Sequence, residues 1–214
     1  MRVGLADFDW LGSCLFIASS TSLLIGLSWG GHQYPWDGYK TLIHLCLGAG
    51  GLLSTVLWEV SLSKEPFIRR TILRDRSLMT AYLCTLIQGL TLYGAIYYLA
   101  LLLLSVQARQ PLNTGLVLLP IGCGLVPASS LFGLAISRLG KWRWAGWAGW
   151  ALNTLAIGLL ILLRTSTSIV AMVFLLLTLG LGQGGLLVGH NFAVQALATV
   201  EDVASATALF AFMR

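Results

Sequence analysis

Six times in this chain an apolar run reaches the length that a helix needs to cross a bilayer. The runs are roughly Trp10 to Trp29, Thr41 to Leu62, Leu78 to Val106, Thr114 to Ser137, Trp144 to Leu163 and Ile169 to Leu197. A hydrocarbon core about 30 Å thick takes about 20 helical residues to span. Within that core every backbone N–H and C=O must find its partner inside the segment, so such runs are helices. The predicted fold is all-α: a polytopic transmembrane helical bundle with six full spans. A seventh apolar run begins near Val203 and reaches Arg214, too short to cross.

Composition excludes the soluble alternative. Only 10% of the 214 residues are charged, against about 25% in ordinary soluble domains, so lipid must solvate most of the surface. The net charge of +5 does not point to nucleic acid, because the cations sit in short connections between spans. Arg2, Lys64, Arg69, Arg70, Arg74, Arg76, Arg138, Lys141 and Arg143 fall on one side; Lys40, Arg109 and Arg164 fall on the other. The positive-inside rule places the first group, and the N-terminus, in the cytoplasm.

The outer connection Trp29 to Asp37 is rich in aromatics and turn formers. It reads as an interfacial anchor, with a ligand site as the alternative. The basic stretch Ser63 to Arg76 reads as a solvated loop or an amphipathic helix lying on anionic lipid. Cys14, Cys46, Cys84 and Cys123 lie far apart inside apolar runs and read as small helix-packing residues. No Cys/His cluster has metal spacing, and no cofactor is implied. Asp7 and Asp9 interrupt the approach to the first span and no small-residue cleavage site follows, which argues against a signal peptide.

Small residues at helix-contact spacing are Ser22 with Gly26, Gly50 with Ser54, Ser129 with Gly133, and the series Gly180, Gly182, Gly184, Gly185 and Gly189. Pro120 and Pro127 are expected to break or bend the fourth span, as at moving helices, or to be the ordinary prolines of a membrane helix.

The turn Gly133-Leu-Ala-Ile-Ser137-Arg138-Leu-Gly140-Lys141-Trp-Arg143 resembles the loop motif of the major facilitator superfamily in its second-half copy. Ser137 stands at the family's Asp position, so the carboxylate of the charge network is missing here. Asp9-Trp10-Leu11-Gly12-Ser13, Leu23 to Gly31 and Tyr34-Pro35-Trp36 are similar to the first linker helix of fungal fourteen-span drug:proton antiporter-type transporters. Lys64-Glu65-Pro66, Tyr97-Tyr98-Leu99, Gly115 to Pro120, Val194-Gln195-Ala196 and Glu201 to Ala204 agree in order, whereas Ala100 replaces a common Pro.

The resemblance implies a fragment: two linker helices and a cytoplasmic basic loop in residues 1–76, and a partial C-terminal transporter bundle in 77–214. It implies a multi-pass protein of the plasma or vacuolar membrane, exporting small organic molecules in exchange for protons. Such transport needs an N-terminal bundle that lies outside these residues. A truncated membrane protein with only a packing or interaction role is the alternative.

Polar residues inside the spans are the candidate substrate contacts. Gln183, His190, Asn191 and Gln195 fall within one broad face of the sixth span at about 100° per residue. His190 has two other readings, an interhelical hydrogen bonder or an interfacial residue. In the third span Tyr82, Tyr93 and Tyr97 share a face and Gln88 points nearly opposite; only one of these faces can front the partner bundle. Asn153 and His44 read as interhelical hydrogen bonders. Gly133, Arg138, Gly140, Lys141 and Arg143 form the candidate gating loop, with Arg138 and Arg143 expected to serve gating and orientation. All eight carboxylates lie in connections or at span ends, so a proton-carrying acid would come from outside this chain unless His190 serves. No spacing suggests a Ser/His/Asp site, a carboxylate pair or a phosphate loop, and no enzyme activity is expected.

Overall fold

A computed structural model describes residues 9–61, 75–164 and 167–214, with side chains as far as 58 in the first segment. The basic stretch from Ser63 to Arg74, Arg2 and Asp7 lie outside the described residues. All six predicted spans are helices: α1 (Trp10–Trp29), α2 (Tyr39–Ser61), α3 (Arg76–Leu101), α4 (Pro111–Leu139), α5 (Arg143–Leu159) and α6 (Ile169–Leu197), followed by the shorter α7 (Val203–Met213). A π-helical turn, Leu102–Val106, extends α3, and a 3₁₀ turn, Leu160–Leu162, extends α5. The chain divides into two compact units, Met1–Arg74 and Asp75–Arg214.

In the first unit Asp9 starts α1. Its carboxylate accepts the Gly12 N–H at 2.8 Å and the Trp58 indole N–H of α2 at 3.1 Å, so one cap also ties the helix pair together. The reversal after α1 uses Gly31 at φ +74°, a left-handed conformation that suits glycine, with the Trp36 ring lying over it. The contact face of α2 differs from the expected one. Gly50 meets nothing and the Ser54 hydroxyl bonds back to Gly50 O, whereas Gly48 and Gly51 lie against Leu23 and Ser19 of α1. His44 also differs: Nδ1 donates to Lys40 O of its own helix at 2.7 Å. The interhelical bond there goes to its backbone carbonyl, from the Ser22 hydroxyl at 3.1 Å.

In the second unit α6 is the central element. Half of its most apolar window is buried, against 22% or less in every other span. Its glycines explain how. A Cβ at Gly180 or Gly184 would run into the Ile121 and Leu125 carbonyls of α4, and one at Gly182 would stand 2.7 Å from Asn153 N of α5. Backbone therefore meets backbone on two sides of α6, maximising dispersion contact where no water drives association. Around this seam pack Leu92, Leu99, Ile121, Met172, Leu176 and Leu179.

The prolines follow the second of their two readings, and the cysteine expectation is revised. α4 runs through Pro120 and Pro127 without a break, as membrane helices allow when neighbours re-satisfy freed carbonyls; it starts with Pro111 in its first turn, where no N–H is needed. Cys14, Cys46 and Cys123 are exposed rather than packed between helices. Ala100 is continuous with α3. Leu112, Ile161 and Val170 are among many exposed apolar side chains, an outer surface suited to lipid.

Candidate functional site

Three amides meet near the middle of the second unit. Gln183 is central in α6, and Gln88 and Asn153 lie near the middle of α3 and of α5. Gln183 Oε1 accepts from Gln88 Nε2 at 3.0 Å. Gln183 Nε2 donates to Asn153 Oδ1 at 2.9 Å and to Thr91 Oγ1 at 3.2 Å. Gln88 and Gln183 are fully buried and Asn153 nearly so. An amide in hydrocarbon without partners is costly, so these bonds hold α3, α5 and α6 at one relative depth. One acceptor is left over: Gln88 Oε1 is buried with no partner among the described residues.

Two turns further along α6, His190 occupies different surroundings. The residue is 6% exposed, its ring centroid is 5.9 Å from that of Trp150, and Nδ1 has no partner among the described residues. With Trp150 it lines a cavity of about 670 Å³ bounded by the start of α3 (Ser77, Thr80, Cys84), the start of α5 (Trp142, Arg143, Trp147) and the end of α6.

The basic turn joins α4 to α5 beside this cavity. Arg138 lies in the last turn of α4, where the helix dipole favours a cation. Gly140 closes the helix at φ +63°, its N–H bonding Ile136 O at 2.9 Å. The Ser137 hydroxyl donates to Leu134 O at 2.9 Å, so the residue at the motif's acidic position is turned onto its own helix. Arg143 opens α5, 5.6 Å from the Trp142 ring centroid. Arg138, Lys141 and Arg143 are all exposed. Gly133 leaves ordinary contact space, since a Cβ there would be 3.6 Å from Val188.

The sequence candidates thus separate. Gln88 and Gln183, substrate-contact candidates on separate spans, are joined, and Asn153 completes the network as an interhelical bonder. His190 belongs to the cavity. Gln195 bonds Asn191 one turn away, on the outside of α6. Tyr93 and Tyr97 are 59% and 64% exposed, whereas Tyr82 is buried and donates to Ala206 O of α7 at 3.1 Å. Sequence reasoning passed over Thr91 and, apart from Arg143 and His190, the cavity wall. The signal was present: Arg143, Trp147 and Trp150, and likewise Ser77, Thr80 and Cys84, follow i, i+3/i+4, i+7 spacing and so share a helix face.

Comparison with known proteins places this geometry. Residues 1–114 match the family model of the fungal trichothecene efflux pump (TRI12). The chain belongs to this family. Over 98% of its length it is 40% identical to MFS transporter L2 of a Phoma species, covering 35% of that protein. It is 34% identical to the MFS-type transporter gkaD of Penicillium citrinum and 31% identical to the MFS efflux transporter aclA of Aspergillus oryzae, covering 98% of this chain in each case and 36% and 38% of those proteins. The chain therefore spans a little over a third of the length of these curated relatives. Within the TRI12 family match lie α1, α2, α3 and the first residues of α4. The major facilitator relatives extend the likeness over the amide network and the cavity.

Proposed function

We propose that this chain forms part of a major-facilitator exporter of small organic compounds. The observation that carries the proposal is likeness over 98% of the chain to proteins named as MFS transporters and efflux pumps. In this reading α1 and α2 are linker helices, and α3 to α7 belong to the C-terminal bundle. The missing partner is an N-terminal bundle, the N-terminus faces the cytoplasm, and the membrane is plasma or vacuolar.

The substrate path runs past the amide network. Gln88 Oε1, buried without a partner, is an acceptor for a substrate donor once α3 shifts, and Gln183 can exchange a protein partner for a substrate one. Exposed Tyr93 and Tyr97 line the path further along α3, and Asn191 with Gln195 mark its other end. The basic turn, lacking a carboxylate at Ser137, gates by anchoring Arg138 and Arg143 at the headgroup layer. Protons are exchanged at a carboxylate outside these residues: Asp9, Asp75 and Asp202 stand at helix N-termini, at the ends rather than the middle of the membrane.

The test is expression of the longest reading frame containing this chain in a yeast lacking its own drug pumps. Accumulation of a lipophilic fluorescent dye should fall, and a protonophore should restore it. Accumulation equal to the empty-vector control, at verified membrane abundance, would refute export of that dye class; export insensitive to the protonophore would refute proton coupling.

A further inference from the structure

We propose that the cavity bounded by α3, α5 and α6 binds an anionic phospholipid, with its phosphate at Arg143, its glycerol beside Trp147 and its upper acyl chains against Trp150 and Cys84. The volume, about 670 Å³, suits the polar end and first methylenes of a lipid, since ligand cavities run from about 300 to 1,000 Å³.

The cavity is polar at one level and apolar at the next. Ser77 and Arg143 lie in the first turns of their helices, and Leu197 closes α6. Seven residues deeper on each helix come Cys84, Trp150 and His190, about 10 Å further into the membrane. Phosphate and acyl chain are separated in the same order.

At the shallow level the first N–H groups of α5 have no side-chain cap and no acidic residue in their turn. That leaves the positive end of the helix dipole open to an anion. The Arg143 guanidinium adds a planar fork that can take two phosphate oxygens at once. Arg76 at the start of α3, Arg138 in the last turn of α4 and Lys141 in the connection to α5 lie at the same end as the carboxylates Asp75, Glu201 and Asp202; the positive-inside rule assigns this side to the cytoplasmic leaflet, where anionic lipids concentrate.

At the deeper level His190 supplies the independent sign of an occupant. The residue is 6% exposed, it lines the cavity with Trp150 and Ala193, and Nδ1 has no partner among the described residues. An unpaired buried ring nitrogen is disfavoured; an oxygen from a glycerol ester at this depth would satisfy the ring. Neither a purely apolar occupant nor a free inorganic anion would engage both Arg143 and His190.

The test uses the purified full chain in phosphatidylcholine nanodiscs, with lipids carrying brominated acyl chains, which quench tryptophan on contact. Brominated phosphatidylglycerol should quench at several-fold lower mole fraction than brominated phosphatidylcholine. The excess quenching should fall in a Trp147→Phe/Trp150→Phe variant. Arg143→Gln should weaken the preference about fivefold, the worth of one cation near an anionic surface. Arg143→Lys should retain most of it, which separates charge loss from misfolding. Equal quenching by the two lipids, or a preference untouched by Arg143→Gln, would overturn the proposal. So would a preference abolished by millimolar inorganic phosphate, which would mark a free-anion site. Loss of the preference in the longest reading-frame product would likewise overturn it, by showing that another helix fills the cavity.

Discussion

Replacing Gln183 by leucine tests whether the amide network holds three helices together. The substitution keeps the volume nearly constant, so little of its effect comes from a cavity. It removes three interhelical hydrogen bonds, to Gln88, Asn153 and Thr91. Side-chain bonds between membrane helices average about 0.6 kcal/mol, which makes roughly 2 kcal/mol for the three. Gln88 Nε2 and Asn153 Oδ1 then lose their partner in a buried site, and stranding such groups costs about 1–3 kcal/mol each where no water reaches them. Gln183→Leu should therefore destabilise the folded chain by about 4–8 kcal/mol. Gln88→Leu removes one of these bonds together with an acceptor that is already unsatisfied, so its effect should stay near 1 kcal/mol. Reversible unfolding in mixed detergent micelles, followed by tryptophan fluorescence, measures both, and the double variant gives the coupling. A Gln183→Leu effect below about 0.5 kcal/mol, or one no larger than that of Gln88→Leu, would refute the account.

Other expectations follow from single contacts. Gly184→Val should abolish monodisperse protein on size exclusion, because the new Cβ would overlap the Leu125 carbonyl; Gly133→Ala, with its nearest contact at 3.6 Å, should stay within about 0.5 kcal/mol of the parent in the same unfolding assay. Asp9→Ala should lose about 1–2 kcal/mol, since one carboxylate caps α1 and holds the Trp58 indole, and the Trp58 emission should shift in the same titration. A membrane-impermeant maleimide applied to intact cells should label a cysteine introduced as Arg109→Cys but label Arg138→Cys only after permeabilisation; the reverse pattern would invert the topology.

What the sequence made legible is what length and polarity alone determine. The six spans were readable because a bilayer demands the same apolar length everywhere, and the helix ends fall close to the places where polarity changes. Pairing was not readable. Gln88, Asn153 and Gln183 each stood out as polar residues in apolar runs, yet their meeting depends on how far α3, α5 and α6 slide along one another. Tyr82, Tyr93 and Tyr97 show a second limit. At 100° per residue they share a face, but the buried seam of α3 runs through Leu78, Tyr82, Thr85, Gly89, Leu92 and Leu99. That repeat is close to 3.5 residues and drifts away from a straight stripe. Only Tyr82 stays inside. The cavity escaped notice because its wall is shared by three helices, with a few residues from each.

The glycine seam of α6 has a consequence for genetics. Every missense change at codons 180, 182 or 184 adds at least a β-carbon, and at each of these positions that carbon meets backbone that cannot swing aside. Such codons have no conservative neighbour in the genetic code: alanine, the mildest replacement, already carries the offending atom. A selection for loss-of-function alleles should therefore recover changes along this short interval more often than its length warrants, while the leucines on the lipid face exchange freely for other hydrophobes. The tolerance map of the gene should be sharply uneven along a helix whose amino-acid composition is almost uniformly apolar.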